Sequence, residues 1–147
     1  IESIKILQSD EGKHLRMRHQ RVVCDVRKCI NQLGLTHLHS TSHIIPIIIG
    51  DSYLCNKISK FLMDYHNIYV QSINYPTVKT GTERLRIIPT PGHDKQSCEN
   101  LFKSLIFAFE YVGLKPQPSK CKNDLCKCVH ASTDNLRCAN NTLKIFL

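Results

Sequence analysis

The sequence has 147 residues, 41% hydrophobic and 22% charged, with 6 Gly and 6 Pro; this is ordinary composition for one globular domain and excludes a disordered polyampholyte, a collagen-like repeat and a coiled coil. Twenty Lys and Arg against twelve Asp and Glu give a net charge of +8 with histidine neutral, and the excess sits at the ends: seven basic and four acidic side chains in 1–34, seven and six in 35–114, six and two in 115–147. The longest apolar run, 44–49, is six residues and contains Pro46, far short of the ~18 that a membrane span needs.

The chain opens on Ile1 with no secretory or Arg-rich transit signature, so it reads as a processed chain or a piece of a longer one. Ile1, Ile4 and Leu7 fit the last turns of one helix, and Ser9-Asp10-Glu11 is a start signal for the next. Leu15, Val22, Val26, Cys29 and Leu33 then recur at spacings of 7, 4, 3 and 4, one apolar stripe that Gly34 ends. Residues 43–49 form a β-branched run that predicts a buried strand, which Pro46 assigns to a sheet edge or a bulge. Asp51 or Ser52 caps a helix over 53–66 that buries Leu54, Ile58, Phe61, Leu62 and Tyr65. A short alternating strand follows over 68–73, a loop over 75–81, a third strand over 84–88 and a Pro/Gly turn over 89–92. Asp94 caps a last helix over 95–112 with the stripe Leu101, Leu105, Ala108 and Val112, closed by Gly113.

The order helix, strand, helix, two strands, helix predicts an α+β layer, a short antiparallel sheet covered by helices on one face. Two parts follow: a domain over 1–114 and a cysteine-rich basic tail over 115–147 without periodicity, expected to be irregular and poorly ordered. The tail's charge would suit nucleic acid or an acidic surface, but no aromatic is interleaved with its basic residues, and no nucleic-acid partner is expected.

Arg86 is the most informative single position. It interrupts an otherwise apolar strand beside a Pro/Gly loop, either as a fork for a carboxylate or phosphate or as a solvent-facing residue of an alternating strand. His43 reads as a capping or packing residue, and Asn74, Tyr75 and Thr77 as turn residues. Cys24 and Cys29 are five apart, about 140° around a helix, and cannot share a metal through one face. Cys55 and Cys98 stand alone. Cys121, Cys126, Cys128, His130 and Cys138 are zinc-ligand types, but their spacing fits no pair of Cys-x2-Cys knuckles. No metal is assigned, and the thiols read as unpaired in a reducing compartment. No Gly-rich phosphate loop, carboxylate pair or Cys/His dyad stands out, so no catalytic or cofactor-binding residue is assigned within this chain.

Longer strings carry a resemblance. Ser42-His43-Ile44-Ile45-Pro46 is followed by the run from His66 to Val78 with Asn74-Tyr75-Pro76-Thr77 near its end, then Gly81, Leu85-Arg86-Ile87 and Pro89-Thr90-Pro91-Gly92-His93. In this order and spacing they resemble the carboxy-terminal domain of the α-oxoamine synthases, pyridoxal-phosphate enzymes, and within them the 5-aminolevulinate synthase branch. The resemblance covers roughly residues 1–114.

The resemblance implies the small domain of the type I pyridoxal-phosphate fold, with the Schiff-base lysine on a large domain preceding it. It implies an acyltransferase condensing glycine with succinyl-CoA to 5-aminolevulinate, CoA and CO2 at the first step of haem synthesis. Arg86 matches the arginine that holds the glycine carboxylate, Thr77 the threonine that contacts the succinyl carboxylate, and the loop between them a mobile segment over the site. A homodimer in the mitochondrial matrix is implied as well, and inactivity of this segment alone. Lys79 stands where the family usually has proline after Thr-Val. Another α-oxoamine synthase with a different acyl-CoA, or a non-catalytic binding module, is the alternative.

Overall fold

The protein is described by a computed structural model over residues 2–38 and 40–115. The expectations for Ile1 and for the cysteine-rich segment, including Cys121, Cys126, Cys128, His130 and Cys138, lie outside the described residues.

Two helices open the chain, α1 over Glu2–Gln8 and α2 over Asp10–Gln32. Ser9 joins them: its hydroxyl donates to the Ile6 carbonyl at 2.6 Å and accepts the Gly12 N–H at 3.3 Å. A Cβ at Gly12 would fall 2.2 Å from the Ile6 carbonyl oxygen, so this fold-back of α1 on α2 requires glycine there. The predicted stripe is buried at Val22, Val26 and Cys29, but Leu15 is exposed. Between Gly12 and Val22 the helix buries nothing, so periodicity runs on past the surface that it was expected to face.

The sheet has three antiparallel strands, β1 over Ile45–Ile48, β2 over Gln71–Ile73 and β3 over Arg84–Ile87, in the order β1-β3-β2. The Pro46 strand is therefore an edge, as predicted. The Ile49 N–H points inward to the Glu83 carbonyl at 2.9 Å, whereas Ile48 N–H points outward to Thr36 at 2.8 Å. Alternation puts the missing N–H of Pro46 on the outward side too, away from β3, where the chain makes only an isolated bridge between His37 and Ile47 and the Pro46 carbonyl accepts the Leu38 N–H at 3.0 Å.

β2 is shorter than the predicted 68–73. The Ile68 N–H bonds the Leu62 carbonyl at 3.0 Å, and the Val70 carbonyl accepts the Ser59 hydroxyl at 2.6 Å. Those backbone groups are spent on the end of α3, which spans Ser52–His66. Asp51 caps α3 through the Leu54 N–H at 2.7 Å. Cys55, Ile58 and Leu62 form its buried face; Tyr65, expected there, is 71% exposed and packs its ring on Phe61 at 4.9 Å at the rim. The last helix, α4 over Lys95–Tyr111, is capped by Asp94 and buries Leu105, Ala108 and Phe109.

The core lies between the helices and one sheet face. Ile45, Ile47, Leu85 and Ile87 join Val26, Ile30, Ile58, Leu62, Leu105 and Phe109 in one cluster. The strands alternate buried and half-buried positions, so Pro46, Ile48, Arg84 and Arg86 occupy the opposite face. No helix among the described residues is long and apolar enough to cross a membrane.

Candidate functional site on the open face of the sheet

The register lines up Pro46, Arg86 and Gln71 in one row across the three strands, and Ile48, Arg84 and Ile73 in the next. Cross-strand partners share a face, and this one points away from the helices. The two arginines are two residues apart and differ in one respect. Arg84 is satisfied locally: its Nε donates to the Thr82 carbonyl at 2.9 Å and its Nη2 to the Thr82 hydroxyl at 3.1 Å. Arg86 donates through Nη2 to Gln71 Oε1, and its Nε is buried with no hydrogen-bond partner. A buried donor left unmade costs about 1–3 kcal/mol. A planar carboxylate is the ligand that satisfies such a fork.

Beside Arg86, β2 ends in a polar cluster. The Asn56 side-chain oxygen accepts from the Ser72 hydroxyl at 2.7 Å and from Asn74 Nδ2 at 2.8 Å. Asn74 Oδ1 is the other buried polar atom without a partner among the described residues. The Asn74 carbonyl accepts the Thr77 N–H at 2.9 Å and the Val78 N–H at 3.3 Å. Asn74 is thus the residue that folds the turn carrying Thr77. Thr77 itself is exposed, just beyond the cis Tyr75–Pro76 bond. Thr77 lies in the β2–β3 connection and Arg86 within β3 itself, with no hydrogen bond between them.

Glu83 is the feature that sequence reasoning missed. It is 2% exposed, and its carboxylate accepts the Gly81 N–H at 2.9 Å and the Ser52 hydroxyl at 3.3 Å. Alternation puts it on the side of Leu85 and Ile87, but nothing in Thr-Glu-Arg-Leu-Arg shows what would satisfy a carboxylate there, because Ser52 comes from a helix about thirty residues earlier in the chain.

The other candidates lie elsewhere. His43 is exposed, its ring 5.2 Å from that of His19, which bonds the Pro89 carbonyl at 2.9 Å; this is a packing arrangement. Burial pushes the Cys29 thiol up to about 11, with Cys98 and Asp25 adding. Burial likewise pushes Cys55 up to about 11, with the Glu83 and Asp51 carboxylates adding, and it raises Cys98. Thiols held protonated in this way are poor nucleophiles. Among the described residues no group of three or more His, Cys, Asp or Glu is placed to hold a metal. A cavity of about 420 Å³ opens where Val26, Val70, Ile87 and Leu101 meet His66 and His93; neither Arg86 nor Thr77 lines it.

Residues 3–105 match the family model of the aminotransferase class I and II proteins. Over 128 residues, 86% of this chain, the sequence is 42% identical to the non-specific mitochondrial 5-aminolevulinate synthase of Bos taurus. Over 117 residues, 80% of the chain, it is 44% identical to the erythroid-specific mitochondrial 5-aminolevulinate synthase of Mus musculus. The chain spans 20% of the length of each. A serine palmitoyltransferase from S. paucimobilis, solved with a bound PLP–myriocin aldimine, is similar in structure, with a TM-score of 0.69 at 19% identity over 76% of this chain and 28% of that one. At this identity the likeness is one of fold, and the α+β small-domain architecture expected from the sequence is the one found.

Proposed function

The chain belongs to the aminotransferase class I and II family, and on that premise we propose that it forms the carboxy-terminal domain of a pyridoxal-phosphate-dependent 5-aminolevulinate synthase. The reaction condenses glycine with succinyl-CoA to 5-aminolevulinate, CoA and CO2. One observation carries the reading: the buried, unpartnered Arg86 Nε on the open sheet face.

Glycine has no side chain, so its carboxylate is nearly its only handle. Arg86 holds that carboxylate through two parallel charge-assisted bonds, which fix both its position and the twist about the Cα–carboxyl bond. Pyridoxal phosphate, when bound, supplies the electron sink for breaking a bond at Cα. The residues present fit the substrate end of that arrangement: the orphaned guanidinium N–H suits the amino-acid carboxylate. Gln71 Oε1 braces the guanidinium by accepting from Nη2. Thr77, exposed on the neighbouring turn, offers a hydroxyl to the distal carboxylate of the succinyl group. The complete enzyme is a homodimer of the mitochondrial matrix; support for the compartment comes from relatives named as mitochondrial.

The test uses the full-length enzyme with glycine and a panel of acyl-CoAs. We expect 5-aminolevulinate from succinyl-CoA and kcat/KM for it well above that for longer, uncharged acyl chains. Preference for an uncharged acyl-CoA would make the protein a different α-oxoamine synthase, and no turnover with any would leave a binding module.

A further inference from the structure

Glu83 is the one buried carboxylate among the described residues. Its side chain makes no ion pair with a lysine or arginine, whereas each of the three ion pairs among the described residues is built from other carboxylates. Taking an anion out of water without a cation is unfavourable unless hydrogen bonds and dipoles replace hydration. Three do so. The Gly81 N–H and the Ser52 hydroxyl donate to its two oxygens, and Ser52 opens the first turn of α3, the positive end of that helix. The Glu83 backbone carbonyl accepts both the Ile49 N–H at 2.9 Å and the Gly50 N–H at 3.0 Å.

One residue therefore ties together three segments: the end of β1, the start of α3 and the last turn of the β2–β3 connection. The connection is pinned at its other end by Asn74, through the Thr77 and Val78 N–H groups. Gly81 has φ of +83°, and Gly50 approaches its carbonyl so closely that a Cβ at Gly50 would lie 3.4 Å from it. Between the two pins the turn is closed by the Thr82 N–H on the Lys79 carbonyl at 3.0 Å. The segment that carries Thr77 is thus fixed at both feet, and the rear foot rests on a buried charge.

We propose that Glu83 is a positioning residue for the acyl-CoA substrate: it anchors the rear of the 75–82 segment to α3 and so sets where Thr77 stands relative to Arg86. The inference rests on the acyl-transfer reading given above and deepens it by separating the two substrates. Arg86 is held by β3 and Gln71, independently of the Gly81 contact. Loosening Glu83 therefore misplaces the acyl end and leaves the glycine end in register.

The experiment uses the full-length holoenzyme and Glu83→Gln, which keeps the shape but loses the charge and one of the two acceptors. Hydrogen exchange read by mass spectrometry should show the amides of 75–82 exchanging at least about tenfold faster than in the parent protein, with β3 unchanged. Steady-state kinetics should show KM for succinyl-CoA raised about fivefold or more and KM for glycine within about twofold. Thr77→Val gives the size of the acyl-specific effect for comparison. Should Glu83→Gln fail to fold, Ser52→Ala removes one donor from the same carboxylate and should move exchange and the succinyl-CoA KM in the same direction by a smaller factor. Unchanged exchange in 75–82, or an equal rise in both KM values, overturns the proposal. A parent enzyme that makes no 5-aminolevulinate overturns the functional reading instead, and the exchange measurement still decides whether Glu83 anchors the segment.

Discussion

Arg86 provides the sharpest test, because its loss is expected to cost activity heavily and stability little. One of its donors is spent on Gln71 and its Nε is buried and unpartnered. If a substrate carboxylate completes the fork, Arg86→Lys keeps the charge but loses the second parallel bond. One charge-assisted hydrogen bond is worth ~1.5–3 kcal/mol, which is a fall of about 10- to 150-fold in kcat/KM for glycine. Arg86→Met keeps the stem's packing and loses both bonds, for a fall on the order of 10² to 10⁴. Stability moves little. Methionine removes a buried donor that had been costing about 1–3 kcal/mol, against the loss of one charge-assisted bond to Gln71 worth ~1.5–3 kcal/mol, so the two nearly cancel. Thermal unfolding of Arg86→Met without substrate should therefore show a Tm within about 4 °C of the parent's. Glycine-varied kinetics of both variants and a melt of the second decide the matter. A change in glycine kcat/KM under threefold for Arg86→Lys, together with a Tm lowered by more than about 4 °C for Arg86→Met, would make Arg86 an ordinary strand residue and refute the site.

Gly12→Ala should lower Tm even though alanine is the better helix former by about 1 kcal/mol, because its Cβ would meet the Ile6 carbonyl at 2.2 Å; a raised Tm would show that α1 does not pack there. Asp94 accepts from the Ser97 hydroxyl and N–H, which lower its pKa. A depressed folded-state pKa stabilises above the unfolded value of about 3.9 and is lost as pH falls through the folded value. The stability gap between parent and Asp94→Ala should therefore be constant from about pH 5 to 8 and close on acidification below ~4; a gap that widens in acid would contradict the cap. Cys29 and Cys55, both pushed up to about 11, should resist iodoacetamide at pH 8 in the native protein, where only about 10⁻³ of each is thiolate. Peptide mapping should find both labelled only after denaturant, and native labelling at the rate of a small thiol would show that the burial is wrong.

Much of the architecture was legible because short-range signals and long-range packing agree. Ser9, Asp51 and Asp94 cap the helices that their sequence context predicted. Pro46 marks an edge because only an edge tolerates its missing donor. The errors share a cause. The stripe through Leu15 and the placement of Tyr65 rest on angle around a helix, and angle does not say how far the opposing surface extends. The predicted start of β2 at residue 68 rests on alternation, and alternation does not say that Ser59 and Leu62 have already claimed the backbone of 68–70.

The site was legible only in outline for a further reason. Period-two alternation places Arg84 and Arg86 on one face and Leu85 on the other, and nothing local separates the two arginines. What separates them is the supply of acceptors. Arg84 finds its partners at Thr82, two residues away in its own strand's approach. Arg86 must reach across to Gln71, fifteen residues away, and one donor is still left over. Glu83 is hidden by the same logic, since its partners Ser52 and Gly81 are brought to it by the sheet and by α3. A side chain that folding alone would satisfy is recognisable by its completed bonds. Arg84 on the open face and Glu83 on the core side meet that condition and Arg86 does not, so Arg86 is the residue whose substitution tests the proposed site.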